Sequence, residues 1–359
     1  MRLKIIIIAV ALLVACTPTG QVVKETQARI GGAFILSGIG ADWGTAEKNS
    51  AELAVSEYNA AHDKKVELVI EGIQYDNTNA VLGLQKLVSQ DNVQVVVVSW
   101  LDGLQGMAAA AEDSGTVLIS PSASVTALKA EQPYPHSFVV WYRTDAEAAS
   151  LSRYLESHNK TRVALVYGSD PFWTDFKQQF TKAARANVTS YSVNGAENDY
   201  RTLLTQLKHD APDAILFGLD NEGAIYNFLK QRQEYYPDSD IYTTEMIEGY
   251  LAREEFRPVL ERVSFVKPAG GNQSFADKYR KAYGNDPVST AYTSYDATNM
   301  ILQAINAGNT DGESIKSYLE THEFDTVTFG KVRFDTIHGV TGGKFQVDEI
   351  ENSTAALKP

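Results

Sequence analysis

Cysteine is nearly missing from this chain: the 359 residues hold one, Cys16, so no internal disulfide can form. Basic residues are also in deficit. The 32 lysines and arginines stand against 45 aspartates and glutamates, a formal net charge of −13, which argues against nucleic acid or anionic lipid as the partner. The six histidines, His62, His136, His158, His209, His322 and His338, show no metal-ligand spacing such as His-x-x-x-His, and no Gly-x-Ser-x-Gly nucleophile elbow occurs. The glycine-rich stretch Gly38-Ile39-Gly40-Ala41-Asp42-Trp43-Gly44 follows an apolar run, but its spacing is wrong for a dinucleotide fingerprint. No catalytic apparatus is visible, and neither a metal nor a cofactor is expected.

What is present begins with Arg2 and Lys4 ahead of an apolar run, Ile5 to Leu13, that is too short to span a bilayer and reads as a signal peptide. It stops at Leu13-Val14-Ala15-Cys16, which resembles the bacterial lipoprotein box, where the cysteine is lipidated. Residues 1–15 are then removed, and the polar stretch 16–28 reads as a flexible tether. The chain is expected outside the cytoplasm, held to a membrane by its lipid. The remaining length suits two cores of ordinary size.

From Arg29 onward, short apolar runs bounded by Gly, Asp or Pro alternate with amphipathic helical patterns, the signature of parallel sheets buried on both faces. Strands are predicted at 30–36, 66–74, 93–99 and 116–120, and again at 162–167, 188–193, 214–217, 241–244 and 263–266. Two consecutive runs of βα units imply an α/β fold of two doubly wound lobes with a cleft between them. After Pro268 the pattern turns helical and ends in β-like segments at 327–334 and 344–347.

The order and spacing of several signatures resemble the leucine/isoleucine/valine type of periplasmic binding protein, over residues 29–347. They are Leu36-Ser37-Gly38 with Trp43-Gly44, Ala51-Glu52-Leu53-Ala54-Val55, Tyr75-Asp76-Asn77, Leu87-Val88, Ile119-Ser120-Pro121-Ser122-Ala123-Ser124, Tyr142-Arg143-Thr144 and Tyr295-Asp296. The resemblance implies a type I periplasmic-binding fold whose chain crosses between lobes near 141–145, 266–269 and 329–334. Lobe 1 is then 29–142 plus 268–328, and lobe 2 is 143–267 plus 329–355. It also implies hinge closure around a small ligand.

Ligands of open α/β sheets sit beyond the carboxyl ends of the strands, so residues just after each strand are the candidates. Ser122 and Ser124 present hydroxyls and N–H groups suited to a carboxylate, unless they only cap a helix. Glu245 stands where the resembling family holds the ligand ammonium; the alternative is a solvated loop acid. Trp43, in the first βα loop, matches the family's aromatic wall, and either Phe172 or Trp173 supplies a second one. Asp220, or Asn221 beside it, is a polar cleft candidate. The family's usual serine or threonine after the third strand is replaced by Ser99-Trp100-Leu101-Asp102-Gly103, and an acid there repels a carboxylate. With Trp100, Asp102, Asp220 and Glu245, the cleft can instead form an aromatic box with acids that favours a cation.

The expected function is capture of a small amino-acid-like ligand by a monomeric, lipid-anchored binding protein that serves an ABC transporter permease. The alternatives are a sensor of the same fold for a cationic amine, signalling to a receptor, and an exported enzyme.

Overall fold

The computed structural model describes residues 26–358 apart from 131, 196, 252, 270, 271 and 353. The signal peptide, Cys16 and the tether up to residue 25 lie outside the described residues. The first strand already opens at Thr26, within the last residues given to the tether.

The first lobe runs β1 (Thr26–Ile35), α1 (Ala41–Ala61), β2 (Lys65–Ile73), α2 (Asn77–Ser89), β3 (Val95–Val98), α3 (Gln105–Ser114), β4 (Val117–Ser120), α4 (Val125–Leu128) and β5 (Ser137–Val139). These strands form a parallel sheet in the order β2-β1-β3-β4-β5. Strands such as Val95–Val98 have no polar face, so both sides must be covered by helices. One side buries Ile30, Phe34 and Val97, the other Ile35, Val96 and Met107.

The second lobe runs α5 (Thr144–Ser157), β6 (Arg162–Tyr167), α6 (Pro171–Ala183), β7 (Asn187–Ser192), α7 (Arg201–Asp210), β8 (Ala214–Gly218), α8 (Glu222–Tyr235), β9 (Ile241–Thr244), α9 (Arg257–Leu260) and β10 (Val263–Pro268). The chain then returns to the first lobe with α10 (Gln273–Tyr283), α11 (Ser289–Asn306) and α12 (Gly312–Thr321), whose Met300, Ile301, Ile315 and Leu319 enter its core. A small hairpin follows, β11 (Phe324–Thr326) and β12 (Gly330–Val332), and β13 (Phe345–Glu351) and β14 (Thr354–Leu357) close the second sheet in the order β14-β13-β10-β9-β8-β6-β7. Only β13 runs against the others in it, pairing antiparallel with both β10 and β14.

Residues 329–340, expected in lobe 2, pack differently. Val332, Phe334 and Val340 are buried in the first lobe's core, and Gly339 bridges to Val139 of β5. The third passage between the sheets therefore lies just before Phe345. In each sheet the order reverses between two neighbours, β1 and β3 in one, β6 and β8 in the other, and the loops after these strands border the inter-lobe space.

Candidate functional site

A cavity of about 350 Å³ lies between the lobes. The first lobe lines it with Gly38 to Trp43, Tyr75, Trp100, Asp102 and Ser122; the second contributes Asp170, Phe172, Trp173, Phe217, Asp220, Asn221, Tyr250 and Arg253. Trp141 of the first crossing completes a notable set: all four tryptophans of the chain, Trp43, Trp100, Trp141 and Trp173, line this one cavity.

Local chain geometry aims these rings. Helix α1 begins at Ala41, so Trp43 lies in its first turn, and the loop position expected for it is corrected: Gly40, at φ 86°, ends the loop and admits the helix. A side chain at Gly40 would collide with the Trp100 ring, 2.7 Å from its Cβ. Trp100 itself is held left-handed, at φ 45° and ψ 49°, and its N–H donates to Ser122 Oγ at 3.1 Å. Its ring meets Tyr75 edge-on at 5.3 Å. In the second lobe Asp170 caps α6 and Pro171 takes the first helical position, which places Phe172 and Trp173 together in the opening turn. Both rings face the cavity, in a T-shaped pair 5.1 Å apart.

The acids come from both lobes. Asp102 is buried on a short 3-10 turn after β3, accepts the Ser124 N–H at 2.9 Å, and has its pKa pushed up to about 8, first by burial and then by the nearby Asp170 charge. Asp170 is raised as well, chiefly by burial, although the Phe172 N–H and the Tyr75 hydroxyl, each at 2.9 Å, favour its ionised form. Asp220 accepts from the Asp170 and Ser169 N–H groups at 3.1 and 2.7 Å. Asn221, the alternative to it, also reaches the cavity but caps α8 through the Ala224 N–H. At one edge Arg253 is paired with both Asp42 of α1 and Glu222 of α8, so its charge is already spent on two carboxylates.

Two sequence candidates stand elsewhere. Ser124 is fully buried off the cavity: it caps α4, its hydroxyl donates to Asp175 of α6 at 2.6 Å, and it accepts from Thr144 at 2.9 Å. It joins the lobes and presents nothing to a carboxylate. Glu245 is likewise fully buried and does not line the cavity; it faces Glu147 of α5, with which it is hydrogen-bonded. Burial raises both pKa values, and the Glu245 charge raises Glu147 further while a hydrogen bond from Glu147 favours the ionised Glu245, so the pair retains a proton, held on Glu147. Tyr75, Trp141, Asp170 and Arg253 were not among the sequence candidates. The first two stand in signatures or crossings that the sequence displays, whereas Arg253 sits in an irregular stretch after β9 that carries no periodic signal.

The chain is 24% identical over 228 residues to the leucine-specific-binding protein of Salmonella typhimurium, a match spanning 61% of this chain and 60% of that protein. It is 21% identical over 345 residues to a Leu/Ile/Val-binding protein homolog of Brucella suis, covering 86% and 83%. Among solved structures, the branched-chain amino acid transporter substrate-binding protein LivJ from Streptococcus pneumoniae, in complex with isoleucine, superposes with a TM-score of 0.82 at 23% identity, covering 93% of this chain and 99% of that one. A Rhodopseudomonas palustris solute-binding protein in complex with benzoate superposes with a TM-score of 0.77 at 16% identity, covering 92% and 94%. The type I periplasmic-binding fold is thus established, and such proteins bind small solutes outside the cytoplasm. With the family's own model matching residues 27–354, this chain belongs to the periplasmic binding protein family.

Proposed function

We propose that this chain is a lipid-anchored solute-binding protein that captures a small, ammonium-bearing ligand of amino-acid size between its lobes and delivers it to an ABC transporter. The observation that carries the ligand reading is the charge of the cavity wall. Asp42, Asp102, Asp170, Asp220 and Glu222 line it against a single cation, Arg253, which two of those acids already hold. A ligand carboxylate entering there is repelled, and a ligand ammonium is drawn in. Isoleucine, seen in the pneumococcal relative, carries an ammonium beside its carboxylate; benzoate, seen in the Rhodopseudomonas one, has only the repelled group. The two serines expected to hold a carboxylate are occupied: the Ser124 hydroxyl donates to Asp175, and the Ser122 hydroxyl donates to Glu47 while accepting the Trp100 N–H. A cavity of this size also admits only a small molecule.

With every tryptophan at the cavity, intrinsic fluorescence reads binding directly. Titration with amino acids, small amines and aromatic acids is expected to give saturable changes with ammonium compounds and none with benzoate. Saturable binding of benzoate, with amines silent, would overturn the ligand reading. Attachment is tested separately: Cys16→Ser is expected to move the chain from the membrane fraction to the soluble one.

A further inference from the structure

The acids that line the cavity already accept hydrogen bonds or ion pairs from the protein. Both oxygens of Asp170 accept from the protein, one from the Phe172 N–H and one from the Tyr75 hydroxyl. Both oxygens of Asp220 do so too, from Asp170 and Ser169. Asp42 and Glu222 are turned onto Arg253. Asp102 gives one oxygen to the Ser124 N–H. Each of these carboxylates is thus held in direction by the protein, and a new N–H must reach a lone pair that these bonds leave open. A primary ammonium gives up three hydrogen bonds to water on entry and must recover all three from oxygens whose orientation is already set by other donors. A cation without N–H groups incurs no such loss.

The walls offer that cation what the acids do not. Tryptophan is the strongest ring partner for a cation, and the chain's four tryptophans stand around one small space, drawn from both lobes and a crossing. They are built into place: Trp100 sits in a strained left-handed backbone pinned by Ser122, and Gly218 lies so close beneath Trp173 that a Cβ there would be 2.0 Å from the ring. We infer, resting on the cation reading above, that the ligand is an N-alkylated ammonium compound, recognised by its charge and by the methyl or methylene surface that it lays on these rings.

The test is a methylation series on the full-length chain purified in detergent: ethanolamine, its N-methyl and N,N-dimethyl derivatives, and choline, with 3,3-dimethylbutan-1-ol as the uncharged isostere of choline, each followed by tryptophan fluorescence and calorimetry. Affinity is expected to rise with each methyl group, by tenfold or more from ethanolamine to choline, and to fall at least tenfold for the uncharged isostere. In Trp100→Leu the series is expected to flatten. A series that is flat or reversed in the unmodified chain overturns the alkylation inference and leaves the cation reading intact. Silence to all the amines while isoleucine binds likewise overturns only the alkylation inference, whereas binding by the uncharged isostere equal to that of choline overturns the cation reading beneath it.

Discussion

Asp102 folds into a position that its ionised form resists. Its pKa lies near 8 in the folded chain against 3.8 for the free side chain, so between those values the folded state holds a proton that the unfolded state has released. Stability then falls as pH rises through that window, by up to about 1.4 kcal/mol per pH unit for each such proton. Glu47, raised to about 7 by burial despite the hydroxyls of Ser122 and Ser99, and Asp296, also raised to about 7 by burial, act in the same direction. The ligand-free chain is therefore expected to melt at a lower temperature at pH 8 than at pH 5.5, and Asp102→Asn to remove one proton's share of that slope. A cationic ligand favours the ionised carboxylate, so its affinity is expected to climb from pH 6 to about 8 and level off above. Titrations across that range check it, and in Asp102→Asn the affinity is expected to be both weaker and flatter with pH.

At the scale of elements, the site depends on how α6 meets β8. The Asp170-Pro171 start of α6 sets Phe172 and Trp173 in the first turn, and Gly218 at the end of β8 leaves room for the Trp173 ring. Gly218→Ala is expected to push that ring out of place, costing about 1–3 kcal/mol of stability and weakening ligand binding at least tenfold, by melting and fluorescence titration. Much of this was legible in the sequence. The runs of Val, Ile and Leu located the strands, and the positions after them yielded Trp43, Trp100, Asp102, Ser122, Phe172, Trp173 and Asp220 at the cavity. Trp43 was placed in a loop because Gly38 and Gly40 read as a turn, while the helix starts directly behind them. Glu245 could not be judged from its own neighbourhood, since its carboxyl partner, Glu147, is set beside it only by the packing of the second lobe. The fate of Ser124 was hidden in the same way, because Asp175 comes from the opposite lobe.

Taken whole, the molecule is drawn with its lobes together. Tyr75 of the first lobe donates to Asp170 of the second, Ser124 and Thr126 donate to Asp175, and Arg253 reaches across to Asp42. Each contact exists only while the lobes face one another, so each biases closure without touching the folding of either lobe alone, and apparent affinity scales with the closed fraction. Arg253–Asp42 is a partly exposed pair and is worth little by itself, about 0–1 kcal/mol. The Tyr75 bond is more shielded and ends on a carboxylate, which makes it worth about 1.5–3 kcal/mol. Tyr75→Phe keeps the ring against Trp100 and removes only the hydroxyl. Its ligand affinity is expected to fall about 10–100-fold, carried by faster dissociation in stopped-flow fluorescence, with the melting temperature of the ligand-free chain nearly unchanged. Arg253→Ala is expected to cost no more than about fivefold. If instead Arg253→Ala were the more damaging of the two, the mouth of the cavity rather than its shielded interior would control release of the ligand.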